Sequence, residues 1–250
     1  VGITIKTAPE LVKMRAANGV VGRLLVELSS RVKPGVSTRE LDDFSRGFIE
    51  SQGAKPAFLG YHGYPASICA SVNEQVVHGI PSDRILAEGD IVGIDVGAVL
   101  DGFVGDAART FPVGKVSAEA AKLMSVTREA LNQGIAAARH NGHVQDIGAA
   151  VQAYAEAAGF SVVRDFVGHG IGRSMHEDPQ VPNYGRRGLG PKLKAGMTLA
   201  IEPMVNAGSF AVDVLSDGWT VVTRDRRLSA HFEDTVIITE GEPEIITRLD

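Results

Sequence analysis

LAEGDIVGID, residues 86–95, returns as LKAGMTLAIE at residues 193–202; the shared pattern is Leu, two variable residues, Gly, four variable residues, Ile and an acid. The copies lie 107 positions apart, and so do His62-Gly63 and His169-Gly170. Gly53 and Gly159, each placed to close a helix, are 106 apart. Echoes in one order imply two halves of like build, about 1–115 and 116–250, related by a pseudo-twofold axis. The acid that ends each copy, Asp95 or Glu202, interrupts an apolar strand, which is costly unless the carboxylate is paired or metal-bound.

The flanking sequence supplies matching elements. Pro9 near the start of a run with apolar Leu11, Met14, Val21, Leu24, Leu25 and Leu28 predicts a helix from Thr7 or Ala8 to about Arg31. Ser37-x-x-Glu40 is a capping box ahead of a second helix ending near Gly53. Strands are predicted at 66–72, 91–99 and 103–111. The second half repeats the order, with helices over 117–140 and 144–158 and strands at 161–168, 198–206, 219–224 and 231–239. Helices followed by hairpins, twice over, predict an α+β fold with the helices covering one face of a sheet. No low-complexity linker separates the halves, so a single domain, 1–250, with one shared core is expected.

Composition narrows the function. A chain of 250 residues with 44% hydrophobic residues buries a sizeable core. A net charge of −5 argues against a nucleic-acid-binding surface. Cys69 is the one cysteine, which allows no internal disulfide and fits a reducing compartment. Residues 1–8 have no signal-peptide pattern, and no run of about 18 apolar residues exists, so a cytoplasmic protein without a membrane span is expected.

Five side chains have the chemistry of a two-metal centre: Asp95, Asp106, His169, Glu202 and Glu233. Four carboxylates balance two divalent cations, and such a pair activates water for hydrolysis. Asp101-Gly102 between alternating apolar runs predicts a two-residue hairpin turn. That register sets Leu100 opposite Phe103 and Asp95 opposite Ala108, and puts Asp106 on the same face as Asp95. The repeat carries Glu202 to the matching place in the second half. Glu233 precedes apolar Val236, Ile237 and Ile238, which turns it inward, and His169 lies among glycines that permit close backbone approach. Gly168-x-Gly-x-Gly172 resembles a phosphate loop, but no helix pattern follows, and His62 lacks any carboxylate context.

The ordered stretches GYHGYPASICASVNEQVVHGIP (60–81), GIDVGAVLDGFVGDAARTF (93–111), GHGIGRSMHEDP (168–179), LAIEPMVN (199–206), DGWTVVTRD (217–225) and SAHFEDT (229–235) resemble the type I methionine aminopeptidases of bacterial kind. The resemblance implies the pita-bread (creatinase/aminopeptidase) fold, with the metal pair in a central cleft of a curved antiparallel sheet. By that resemblance Asp95 chelates one metal, Asp106 and Glu233 bridge both, and His169 and Glu202 complete the second. His78 and His176 match the family's two outer histidines, His176 at the oxyanion and His78 near the scissile amide, while Glu202 also carries a proton. Tyr61, Tyr64, Cys69 and Trp219 match the walls of a methionine pocket; Phe58 and Met175 stand where some relatives have cysteine and phenylalanine. Asn73 and Ser229 match positions that bind a monovalent cation through backbone oxygens.

The implied reaction is removal of the first methionine from nascent polypeptides whose second residue is small. Co, Mn, Fe or Zn would each suit the donor set. The span from His169 to Glu202 has no room for the helical insertion of type II relatives, and residues 1–8 hold no Cys/His cluster of the zinc-binding extension. A monomer is expected, with the ribosome an open partner. A two-metal phosphoesterase would want cations aimed at phosphate rather than Tyr61, Tyr64 and Trp219; a metal-free binding protein of the same fold would lack ligands that are all present.

Overall fold

Thr7 and Ser37 open the first two helices. Thr7 N donates to Glu10 Oε2 at 2.9 Å ahead of α1 (Ala8–Arg31), and Ser37 N donates to Glu40 Oε2 at 2.7 Å ahead of α2 (Thr38–Ser51), in a computed structural model that describes residues 2–248. The Ser117 hydroxyl accepts from Ala120 N at the start of α3 (Ala118–Ala137), and Asp146 accepts from His143 N at the start of α4 (Val144–Ala157). Each cap uses a backbone amide that the first helical turn leaves unpartnered. Gly53 and Gly159 follow α2 and α4 at φ 71° and 88°, the left-handed geometry that ends a helix.

The hairpin Ile91–Leu100 with Phe103–Pro112 has the predicted register, with Leu100 opposite Phe103 and Asp95 opposite Ala108. Asp101 and Gly102 both have positive φ, 50° and 76°, as a twist-matched two-residue turn demands. Asp106 then faces Gly97 and shares a sheet face with Asp95. Ile68–Val72 and Lys55–Pro56 extend the sheet along the other edge of Ile91–Leu100. Helix α1 lies against the hairpin so closely that a Cβ at Gly105 would strike the Ala17 backbone. There the buried Asn18 donates to Met14 O at 2.9 Å and accepts from Asp106 N at 3.1 Å, so the helix fixes the backbone beneath a candidate ligand.

In the second half, two predicted strands are each broken. The stretch 198–206 divides into Thr198–Ile201 and Met204–Asn206, and 231–239 into Ser229–His231 and Asp234–Ile237. Pro203 has no N–H and restricts Glu202, so the ladder cannot run through that pair. The partner strand breaks alongside it: Ile201 pairs with Asp234 and Met204 with His231, leaving Phe232-Glu233 between. The chain passes there from a five-stranded sheet, with Gly168–Gly170, Glu177–Val181 and Glu244–Ile245, to a three-stranded one with Ser161–Val162. The predicted strand 161–168 likewise divides at exposed Arg164-Asp165, and 219–224 shortens to Val221–Thr223.

The halves join edge to edge. Glu233 N donates to Ala108 O at 2.9 Å, Thr235 Oγ1 to Asp106 O at 2.7 Å and Thr110 Oγ1 to His231 O at 2.8 Å. The single core expected from the sequence is divided. Leu24, Leu28, Leu41 and Ile49 pack with Ile94 and Val96 under α1 and α2, while Leu123, Leu131 and Val151 pack with Leu199, Ile201 and Phe232 under α3 and α4. Polar groups occupy the seam, where fully buried Asp234 is paired with Arg109 at 2.6 Å and Arg248 at 2.7 Å. No helix among the described residues is long and apolar enough to cross a membrane.

Candidate metal centre

The hairpin and the paired strand breaks bring all five sequence-predicted ligands to one cavity. Donor atoms of Asp106, His169 and Glu233 lie within 4.8 Å of one another, and so do those of Glu202, His231 and Glu233. His169 Nε2 is 3.7 Å from Asp106 Oδ2 and 3.5 Å from Glu202 Oε1. Asp95 stands outside both groups, beside Asp106 on the shared sheet face. Gly168 and Gly170 bracket His169 because a Cβ at either would strike backbone, of Ala200 or of Asp178. His169 Nδ1 faces Gly170 O at 2.9 Å, which places the proton on Nδ1 and leaves the Nε2 lone pair turned to the carboxylates.

These residues fit divalent cations on their own chemistry. Asp95 Oδ1, Asp106 Oδ1 and Glu233 Oε1 are enclosed and have no hydrogen-bond partner, an arrangement that proteins otherwise avoid. Burial pushes the Asp95 carboxyl up to about 7 and the Glu202 carboxyl up to about 8. Asp106 and Glu233 are pushed well above the carboxylate range by burial and then by repulsion from their neighbours. Burial holds the His169 imidazole down to about 3, so it is a neutral donor. The guanidinium of Arg109 is turned away, onto the backbone carbonyls of Ala108 and Glu233 and the Asp234 carboxylate. Positive charge is what the cluster lacks.

The raised carboxyls set a pH dependence in the metal-stripped protein. Asp95 and Glu202 keep protons that the unfolded chain has released, so their contribution is complete below the ordinary carboxylate pKa and lost as pH rises through about 7 and 8. His169 and His78, held by burial at about 3 and 4, act in the opposite sense, but only below the ordinary imidazole value of 6.5. Above pH 6.5 the carboxyls act alone. The Tm of chelator-stripped protein is therefore expected to fall from pH 6.5 to about 8.5, with Mn(II) removing that slope. Thermal melts across this range check it; a flat or rising Tm in the stripped protein contradicts it.

The cavity, about 260 Å³, also takes in His78, His176, Phe58, Tyr61, Tyr64, Cys69, Met175 and Trp219, so every predicted substrate-binding residue lines it. Tyr64 meets Trp219 edge-on with ring centroids 5.1 Å apart, and its hydroxyl is buried against the carbonyls of Ile68 and Gly79. A Cβ at Gly97 would strike the Phe58 ring and Met175 Cε, so this glycine makes room for both large side chains. Burial raises the Cys69 thiol far above its usual range, which keeps it protonated as a packing group rather than a nucleophile. His78 sits at φ 59°, beside Phe166 and Trp219. Its neighbour Gly79 is set against Ala70, where any side chain would collide. His176 Nδ1 lies 2.8 Å from the Tyr61 hydroxyl, and its ring centroid is 4.3 Å from that of His169.

The sequence reading passed over His231. Its Nε2 is enclosed without a hydrogen bond and lies 3.6 Å from Glu202 Oε2. The signal was present: His231 and Glu233 are two apart in a β-rich stretch, a spacing that sets both on one face. The echo of His169 at His62 does not extend to structure. His62 lies in the turn Tyr61–Gly63 at φ 48°, exposed on the cavity rim, while His169 sits in a strand. Asn73 and Ser229 are adjacent, joined by a bond from Ser229 N to Asn73 O at 2.9 Å.

The profile of metallopeptidase family M24 matches residues 12–240. A methionine aminopeptidase of Clostridium perfringens is 55% identical over 247 residues, covering 99% of each chain. The crystal structure of methionine aminopeptidase from Rickettsia prowazekii superposes with a TM-score of 0.97 at 47% identity, covering 98% of this chain and 100% of that one. Prolidase from Pyrococcus furiosus shares the fold, with a TM-score of 0.80 at 23% identity over 98% of this chain and 66% of that one. The architecture is the pita-bread fold that the resemblance implied. The chain belongs to metallopeptidase family M24, among its methionine aminopeptidases.

Proposed function

We propose that this metallohydrolase removes the N-terminal methionine of nascent polypeptides whose second residue is small, within a single catalytic domain. The observation that carries the reading is the shared cavity, in which carboxylates with unpartnered buried oxygens meet a slot of aromatic and sulfur side chains. Asp95, Asp106, His169, Glu202 and Glu233 would hold two divalent cations of Mn, Fe, Co or Zn type. Such ions lower the pKa of water and polarise a carbonyl when bound. The slot formed by Phe58, Tyr61, Tyr64, Cys69, Met175 and Trp219 takes the methionine side chain, where sulfur–aromatic contacts favour a thioether.

His176 serves the oxyanion. The Tyr61 phenol is pushed above its usual range by burial and the His176 imidazole below its own, so the hydroxyl donates to a neutral ring at Nδ1. The remaining proton is then on Nε2, free to donate to the oxygen of the scissile carbonyl as charge develops. His78, at the Trp219 side of the cavity, contacts the scissile amide. Glu202 lies with one oxygen toward His169 and the other toward His231; it takes a proton from water and passes it to the leaving amine. A monovalent cation at the carbonyls of Asn73 and Ser229, a cytoplasmic setting, a monomeric state and delivery of substrate at the ribosome complete the proposal.

A peptide series tests the slot. Met-Ala-Ser is expected to be cut at a kcat/KM at least about tenfold above Leu-Ala-Ser, the scale on which an apolar pocket discriminates side chains. Equal cleavage of both, or cleavage of N-acetyl-Met-Ala-Ser, would sink the assignment of a methionine-specific aminopeptidase.

A further inference from the structure

The loop that carries Met175 and His176 is tied to the beginning of the chain. Lys6 Nζ donates to Glu177 Oε2 at 2.6 Å, and the pair is well enclosed, with 3% of the Lys6 side chain and 15% of that of Glu177 exposed. The other carboxylate oxygen, Glu177 Oε1, accepts from Arg173 N at 2.9 Å and Ser174 N at 3.3 Å. Gly172 N donates to Ser174 O at 3.1 Å, and Gly172 O accepts from Val104 N at 2.8 Å. One carboxylate thus closes the 172–177 loop on itself, and a lysine from a remote part of the chain holds that carboxylate.

The surroundings are built for this pair. A Cβ at Gly172 would meet Glu177 Oε1 and Lys6 Cε, both at 2.6 Å, so glycine leaves the space the ion pair occupies. Lys6 N donates to Gly196 O at 2.8 Å, which anchors the segment on the second half next to Thr198–Ile201. The other nearby cation, Arg173, directs its guanidinium to Glu10 and the face of Phe103. Lysine is rarely enclosed without a partner, and charge-assisted bonds are the strong ones, so Lys6 holds Glu177 firmly. His176 is the very next residue, and its placement against Tyr61 and His169 depends on the loop that Glu177 organises.

We propose that Lys6 and Glu177 are positioning residues for His176 and Met175. The ion pair sets the conformation of residues 172–177, and through it the aim of the His176 imidazole into the cavity. The kinetic consequence rests on the proposed aminopeptidase reading; the effect on the loop does not.

Two readouts separate the two claims. Amide hydrogen exchange at Arg173 and Ser174 and steady-state kinetics on Met-Ala-Ser are compared for the Mn(II)-loaded parent, Lys6→Met, Lys6→Arg and Glu177→Gln. Lys6→Met is expected to speed exchange of both amides roughly tenfold or more, and to lower kcat by a similar factor with KM within about twofold of the parent. Lys6→Arg restores most of both effects, and Glu177→Gln reproduces the Lys6→Met pattern by a route that leaves Lys6 in place. Unchanged exchange in Lys6→Met and Glu177→Gln overturns the proposal, as does a Lys6→Arg protein as impaired as Lys6→Met. Should the parent fail to cleave Met-Ala-Ser, the aminopeptidase reading falls, and the exchange data alone decide for or against the pair.

Discussion

Asp106→Asn is expected to abolish peptide hydrolysis while leaving the fold intact. Asp106 is buried, belongs to the group with His169 and Glu233, and has an oxygen without a hydrogen-bond partner. An amide in its place keeps the shape but removes one of the four negative charges that would balance two divalent ions. The expected fall in kcat/KM is at least about 10²–10³-fold, the scale set by loss of a single electrostatic stabiliser, together with weaker Mn(II) binding in a calorimetric titration. The backbone should not move, since Asp106 N is held by Asn18 and Asp106 O by Thr235. Burial, and then its acidic neighbours, hold Asp106 well above the carboxylate range, so near pH 8 folding of the stripped protein must bind a proton there or bury a charge. Asn carries no such cost, and the variant's Tm should equal or exceed that of the stripped parent. A variant that keeps more than about a tenth of parental activity, against the 10²–10³-fold loss expected, contradicts the assignment.

His176→Ala is expected to lower kcat by about 10²–10³-fold with KM changed only a few-fold, because a donor to the developing oxyanion acts in the transition state rather than in substrate binding. Tyr61→Phe should move kcat in the same direction by about tenfold, since the ring remains but the hydroxyl that fixes its tautomer is lost. Steady-state kinetics on Met-Ala-Ser separate the two parameters. A rise in KM at unchanged kcat for His176→Ala would make that histidine a ground-state contact and remove it from the chemistry.

The parts of the fold that could be read in advance were those with local rules. Asp101-Gly102 fixes the hairpin register and therefore the shared face of Asp95 and Asp106, and the capping residues fix the helix starts. The break at Glu202-Pro203 had a local signal in the proline. Its counterpart at Phe232-Glu233 had none, because that strand breaks only where its partner does. Glu202 and Glu233, two of the five proposed ligands, lie at these discontinuities, so the geometry of the site depends on the least legible feature of the sheet.

Two sequence patterns do not extend through the whole structure. The repeat relates Asp95 to Glu202, but His62 occupies a left-handed turn where His169 occupies a strand, and a residue spacing cannot distinguish them. Absence of a linker suggested one core, whereas Arg109, Asp234 and Arg248 make the seam between the halves polar. His231 was not legible as a site residue because the sequence SAHFEDT does not show that its imidazole is enclosed beside Glu202. The slot residues Phe58 and Met175 were reached through resemblance; nothing in their spacing shows that both pack over Gly97.

The most direct test of the account is release of free methionine from Met-Ala-Ser and Met-Leu-Ser by chelator-stripped protein, before and after addition of Mn(II) or Co(II). No release is expected without metal; once metal is added, methionine should be released from Met-Ala-Ser, with little or none from Met-Leu-Ser. Cleavage that persists at full rate in the stripped protein, or none from a folded protein shown by titration to hold its metal, would contradict it.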